Sequence, residues 1–317
     1  MNQDDLEIKR AITRRNRLWQ NVNIPKWVNL DKTQLDQFFT NSDIAAHCCE
    51  EAFKFLEQEG ISLDDCLFIE PAAGNGAFLK FLPPAQRIGI DICPMDSEVK
   101  EADFLTWRPE IPHDKKLIYI GNPPFGYRGW LALQFVNQCA INSADYVFFI
   151  LPMSFQSIGK GSPRIRVKGL TLEYFEKLPI DSYHRPDGKN ERINSLWTIW
   201  KKGNNVPPQD IDFSDVLDLF TVDMRKERLC GQEKMKTASF FLQRTFYDTP
   251  PKTVDDFQNV KYVCGYGFST KQQNNIIRSI IDNTDWKKYS NLAAHNCHHI
   301  SMYHIKQALL DGGLKNA

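Results

Sequence analysis

The chain has 317 residues, 42% of them apolar and 25% charged, with 39 basic side chains matched by 39 acidic ones. That length accommodates one large domain and a smaller one, and the balanced charge excludes a protein that holds nucleic acid through bulk charge alone. No run is long and apolar enough to span a bilayer, the polar N-terminus does not read as a signal peptide, and the eight cysteines form no CxxC pair. A cytoplasmic protein with reduced thiols and no membrane partner is expected.

Residues 4–20 read as a basic amphipathic helix, with Lys9, Arg10, Arg14, Arg15 and Arg17 among Leu6, Ile8, Ile12 and Leu18. A solvated face packed on the main domain is expected of it, with a phosphate-contacting arm as the alternative. Thr40 or Ser42 can cap the helical pattern over 44–56, and the free N–H groups of a helix start suit an anion. A short apolar strand over 66–69 then runs into Glu70-Pro71-Ala72-Ala73-Gly74-Asn75-Gly76, with a helix expected to about residue 81. Small residues after a strand let the backbone approach a ligand. Gly74-x-Gly76 lacks the third glycine of a dinucleotide fingerprint and the Lys-Ser/Thr of a P-loop, which favours a nucleoside over a pyrophosphate.

The next strand, 87–92, ends in Asp91, roughly twenty residues on, where a ribose-binding carboxylate belongs. Asp103-Phe104 forms an acid–aromatic pair that can accept from an adenine amino group and pack on a purine. The apolar run 117–120 leads through Gly121 into Asn122-Pro123-Pro124-Phe125. Two prolines remove two N–H donors and leave carbonyls that only accept. An amide oxygen, a backbone carbonyl and a flat ring past a strand end suit a planar heterocycle bearing an exocyclic NH2. A helix over 130–141 and a strand over 146–151 complete a β-α alternation, which predicts a doubly wound, mostly parallel α/β sheet.

Residues 157–169 form a glycine-containing basic loop with Lys160, Arg164, Arg166 and Lys168. Strand-like segments at 170–178 and 195–200 flank a turn, 182–189, and suggest an antiparallel hairpin closing the sheet. A linker near 202–208 precedes a C-terminal part without the β-α rhythm. There the patterns predict a helix at 213–222, strands at 238–246 and 259–266, and helices at 270–282 and 300–310. His295-x-Cys297-His298-His299 matches no structural metal spacing, so no metal is expected and a helix or turn with partly buried histidines is preferred. The C-terminal Lys252, Lys261, Lys271, Arg278, Lys287 and Lys288, with Tyr262, Tyr266, Phe268 and Trp286, fit either a DNA-reading surface or surface charge over a core.

In this order, Phe39-Thr40, the loop 70–76, Asp91, Asp103-Phe104 and Asn122-Pro123-Pro124-Phe125 resemble the gamma group of S-adenosylmethionine-dependent amino-methylating DNA methyltransferases. The resemblance covers about residues 35–202. It implies a Rossmann-like SAM-binding catalytic domain over 31–203, preceded by a basic arm over 1–30. A smaller α+β target-recognition domain would follow over 204–317. S-adenosylmethionine is the implied cofactor. Thr40, Ala72, Gly74 and Gly76 would meet its methionine half, Asp91 the ribose, Ile92 the adenine face, and Asp103 and Phe104 the adenine pocket, with Glu70 also among the cofactor-binding residues. Asn122 and Pro123 would accept from the target amino group, with Pro124 shaping the turn and Phe125 stacking on the base. The implied partner is double-stranded DNA with a flipped-out adenine, in a restriction–modification or related system with a separate endonuclease. RNA, N4-cytosine and protein glutamine acceptors remain open alternatives. A second stacking aromatic is expected in the turn, at His184 or Tyr183. Arg185, Lys189 and Arg192, with Arg164, Arg166 and Lys168 of the basic loop, would meet phosphates.

Overall fold

The computed structural model describes residues 3–18, 38–126, 129–158, 162–185, 187–205, 211–225, 231–260, 263–293 and 296–315. The expected arm beyond residue 18, Lys160, Pro186, Lys261, Tyr262 and His295 lie outside the described residues. The chain divides into two compact units, Met1–Gln156 with Arg166–Val206, and Ser157–Ile165 with Pro207–Ala317.

In the first unit, helix α1 (Gln3–Leu18), strand β1 (Phe39–Thr40) and helix α2 (Ser42–Gln58) precede strands β2 (Cys66–Pro71), β3 (Arg87–Asp91), β4 (Val99–Glu101) and β5 (Lys116–Gly121). Helix α3 (Trp130–Ile141), β6 (Tyr146–Pro152), β7 (Leu170–Lys177), β8 (Tyr183–His184), β9 (Asn190–Glu191) and β10 (Ser195–Lys202) follow. Seven strands form one sheet in the order β4-β3-β2-β5-β6-β10-β7. The first five are parallel and β10 is antiparallel to both its neighbours. β2, β5 and β6 are buried along nearly their whole length, as continuous apolar strands covered on both faces must be. α2 buries Ala45, Cys48, Cys49, Ala52 and Leu56, a stripe at helical spacing. That stripe shares a core with Phe68, Ile118, Phe148 and Trp197. A small sheet, β1-β8-β9, pairs Thr40 with Tyr183 and Phe39 with His184.

The second unit holds the sheet β11 (Leu217–Asp223), β14 (Cys264–Thr270) and β12 (Phe240–Gln243), with β14 central. Short strands β13 (Thr245–Phe246), β15 (Asn291–Leu292) and β16 (His298–His299) form another sheet. Helices α4 (Gln232–Met235), α5 (Asn274–Asn283), α6 (Trp286–Tyr289) and α7 (Met302–Asp311) complete it. Tyr266, Phe268 and Trp286 belong to its core, together with Ile277, Ile281 and Ile305. Those aromatics are therefore packing residues and not a reading surface.

Several local expectations are corrected. The segment 213–222 is not a helix. Leu217 and Leu219 pack into one core and Phe220 and Val222 into another, as the two faces of a strand do, and β11 pairs with β14 from Leu217 to Asp223. No long helix follows Gly76, because Pro83-Pro84 stops the chain after one 3-10 turn, Leu79–Phe81. The strand expected from 259 starts at Cys264; ahead of it a 3-10 turn, Phe257–Asn259, is capped by the Asp256 carboxylate at Gln258 N–H. The N-cap of α2 is Asn41 and neither Thr40 nor Ser42. His298 and His299 lie on a strand, with His298 stacked 4.8 Å from Phe246 and His299 Nδ1 3.0 Å from Thr245 Oγ1. Among the described residues no group of three or more His, Cys, Asp or Glu side chains could hold a metal, and no helix is long and apolar enough to cross a membrane.

Trp197 has no exposed surface and stacks between Phe78 and Phe148, at 6.5 and 6.3 Å. Trp197→Ala should cost about 3–5 kcal/mol, read as a lower denaturant midpoint at unchanged m-value.

Candidate active site

β2 connects onward to β3 on one side, while β5 lies on its other side and pairs with β6. The carboxyl ends of β2 and β5 therefore diverge, and a crevice opens between the loops that leave them. A cleft of about 950 Å³ occupies this switch point. Its walls include Thr40 from β1, Glu70, Ala72 and Gly74 from the β2 loop, and Asp91 and Ile92 from the end of β3. Asp103 and Phe104 after β4, and Asn122 and Pro124 after β5, complete the set of sequence-predicted residues that meet there. Gly76 does not line the cleft.

The loop after β2 is held to β3 by Asp91. Its Oδ2 accepts from the Gly74 N–H at 2.8 Å and its Oδ1 from the Cys93 N–H at 2.7 Å. Ala72 sits at φ 59°, a conformation costly for a residue with a Cβ and typical of loops shaped for a ligand. Gly74, at φ 53°, has no room for a side chain, since a Cβ there would lie 3.0 Å from the Phe39 ring. Glu70, 2% exposed, accepts from the N–H groups of Leu79 at 2.8 Å and Phe78 at 3.3 Å, so it ties the floor of the cleft to the following turn. Asp103 is buried, and its Oδ1 accepts from the Leu105 N–H at 3.0 Å. The Phe104 ring packs 5.1 Å from Phe135 and 5.5 Å from Tyr119.

Asn122 stands where this cleft meets a second, smaller cavity of about 250 Å³, lined by Phe38, Asn122, Pro123, Pro124, Phe125, Tyr183 and Ile193. Its Nδ2 donates to the Phe38 carbonyl at 3.2 Å. A carbonyl can only accept, so this bond fixes the amide with its oxygen turned away from Phe38. That oxygen is buried and has no hydrogen-bond partner. Thr40 Oγ1 and Asn75 Oδ1, on residues that line the same cleft, are buried and unpartnered as well. Each such atom costs about 1–3 kcal/mol if left unmatched. A cleft that gathers several is built for a ligand that donates hydrogen bonds.

Of the two residues expected to stack from the turn, Tyr183 lines the second cavity and His184 lines neither. Tyr183 is 1% exposed, and its hydroxyl is hydrogen-bonded to Ser195 Oγ. It belongs to the core of the first unit and also lines the second cavity. His184 Nδ1 lies 2.8 Å from Asn41 Oδ1, its ring is tilted against Phe39, and it lines neither cavity. Strand pairing with β1 goes with a buried Tyr183 and a half-buried His184, although a polar Pro-Asp-Gly sequence follows directly. Arg185 pairs with Glu191, and Lys189 with Asp187 at 3.2 Å, on an exposed edge. Arg166 and Lys168 are exposed in the first unit, whereas Arg164 is half-buried and groups with the second unit.

Phe38, Asn75 and Arg15 also line the cleft and were not singled out by their motifs. Asn75 was legible as the polar residue between two glycines. Arg15, 2% exposed, is no part of a solvated face. Its neighbour Arg14 donates to the Ile92 carbonyl and pairs with Glu101, which lays α1 along the ends of β3 and β4.

Burial dominates the electrostatics. It pushes the Glu70 carboxyl up to about 8 despite the two N–H groups that favour its charge. Burial also raises Asp91, against the pull of the Cys93 and Gly74 N–H groups.

No family profile matches the chain and no curated protein is similar to it. Among solved structures, a candidate RNA methyltransferase of Pyrococcus horikoshii aligns at 17% identity over 66% of this chain and 100% of its own, with a TM-score of 0.38. Magnesium protoporphyrin IX methyltransferase of Synechocystis, with bound SAM, aligns at 10% identity over 64% and 98%, TM-score 0.34. A SAM-dependent methyltransferase of Anabaena variabilis aligns at 12% identity over 64% and 96%, TM-score 0.34. Likeness at this level carries no function to the chain, and the site must be read from its own geometry.

Folded Glu70 keeps its proton up to about pH 8, whereas in the unfolded chain it ionises near 4.5. The folded state thus binds the extra proton between these values, and stability should fall as pH rises through them, by on the order of 3–5 kcal/mol. Glu70→Gln should flatten that slope in denaturant titrations at pH 5 and pH 8. Tyr183→Phe, which removes only the hydroxyl held by Ser195, should lower unfolding free energy by about 1 kcal/mol.

Proposed function

We propose that this chain is an S-adenosylmethionine-dependent methyltransferase whose acceptor is the N6 amino group of adenine in double-stranded DNA. The observation that carries this reading is the Asn122 amide, oriented by Phe38 with a buried, unpartnered oxygen at the junction of two cavities. A group held there must donate an N–H, and the adjoining prolines and Phe125 ring suit a flat one.

The larger cleft fits the cofactor in chemistry. Unpartnered acceptors on Thr40 and Asn75 suit an ammonium group, and the neutral Glu70 leaves the floor uncharged. Asp91 would hold the ribose hydroxyls, Ile92 the adenine face, and Asp103 with Phe104 the adenine edge. When bound, the cofactor supplies an electrophilic methyl group on a sulfonium.

The chain's own part is positioning. An exocyclic amino nitrogen is a weak nucleophile because its lone pair is delocalised into the ring. Asn122 Oδ1 and the Pro123 carbonyl accept its two N–H bonds, which favours a pyramidal nitrogen with a localised lone pair. Preorganised acceptors of this kind need no rearrangement at the moment of reaction. No cysteine lies in the motif, so a thiolate route through a covalent adduct is not used. An adenine inside a duplex has to be flipped out to enter, at a cost of a few kcal/mol. Arg185, Lys189, Arg192, Arg164, Arg166 and Lys168 supply phosphate contacts in this reading, and a restriction endonuclease acting separately on the same site is a fitting partner.

Labelled methyl transfer to unmethylated duplex DNA, total RNA and glutamine-containing peptides tests the reading. N6-methyladenine in DNA is the expected product; label found as N4-methylcytosine, or only in RNA or peptide, would overturn it. Asn122→Ala should lower the transfer rate by about 10²–10³-fold with the affinity for S-adenosylhomocysteine nearly unchanged. Asp91→Ala should weaken that affinity at least about 10-fold, both read by calorimetry.

A further inference from the structure

Resting on the methyltransferase reading, we propose that Phe38 is the second wall of the acceptor pocket and positions the target base. A flat heteroaromatic is gripped best between two apolar faces. Phe125, directly after the two prolines, provides one. Tyr183 is committed to the core through its bond to Ser195, and Ile193 is aliphatic. Phe38 is the remaining aromatic that lines the second cavity. Like Phe125 it is half-buried, anchored on the core along one side and open to the cavity on the other.

Phe38 also lines the cofactor cleft, and its carbonyl receives the Asn122 Nδ2 at 3.2 Å. One residue therefore walls the base pocket and sets the direction of the amide that accepts from the base. Its neighbour Phe39 lines the cofactor cleft alone, against Gly74. Of the two adjacent phenylalanines, only Phe38 reaches the acceptor cavity.

The test uses the full chain, tritiated cofactor and unmethylated genomic duplex DNA. Phe38→Leu keeps the carbonyl and most of the volume and removes only the aromatic face. It should raise the acceptor KM about 10-fold or more. Its affinity for S-adenosylhomocysteine, read by calorimetry, should stay within about 3-fold of the wild type. Phe38→Tyr should restore the acceptor KM, and Phe39→Leu should show the converse, a weakened cofactor at a near-normal acceptor KM. An unchanged acceptor KM in Phe38→Leu overturns the assignment, as does an equal loss of cofactor affinity in both Phe38 variants. If the wild-type chain transfers methyl to none of the acceptors tested, the methyltransferase reading fails first and takes this proposal with it.

Discussion

Two neighbouring parallel strands whose following loops diverge open the gap at the centre of the site. Because β2 turns toward β3 and β5 serves the other half, the loops beyond their carboxyl ends diverge, and Glu70 and Asn122 line the gap between those loops. The sheet buries these two strands along nearly their whole length, so their carboxyl ends are rigid and polar atoms there cannot drift out to water. That rigidity allows the Asn122 oxygen to stay unpartnered. A mobile amide would swing to meet solvent, whereas this one is held by a carbonyl 84 positions upstream.

The polar atoms around the gap are arranged as acceptors. Asp91 spends one carboxylate oxygen on the Gly74 N–H of the loop after β2 and the other on the Cys93 N–H just beyond itself, and Glu70 spends both of its oxygens on N–H groups of the turn beneath. Each acid fixes a backbone first and meets a ligand second. The strained Ala72 and the crowded Gly74 show the same priority, a loop drawn close to its neighbours to open space on its other side.

What could be read from the amino-acid order is what is local. Glu70 to Gly76, Asp91 and Asn122 each follow a short apolar run, Asp103 follows the short charged strand Val99–Glu101, and the strand direction alone brings their carboxyl ends to one edge. What could not be read depends on distant pairing. Tyr183 sits beside a polar turn and looks exposed, yet β1, more than 140 positions away, folds it into the core. Phe38 precedes the capping segment and signals nothing until its carbonyl is seen against Asn122. Segment 217–223 is ambiguous by period, since a short apolar run suits helix or strand, and only its partner β14 decides.

The placement of β10 has a consequence for synthesis of the chain. The strand that fills the space between β6 and β7 is the last of the seven to be made, ending at Lys202. Every loop that lines the cleft has been made by Phe125, yet β6, apolar along its whole length, keeps an open edge until Ser195 to Lys202 arrive. An unpaired apolar edge is a template for association with other chains. The nascent protein therefore passes through an interval in which its ligand loops exist and its sheet is unsealed. Ligand chemistry and protection from aggregation are completed at different times, by segments some seventy residues apart.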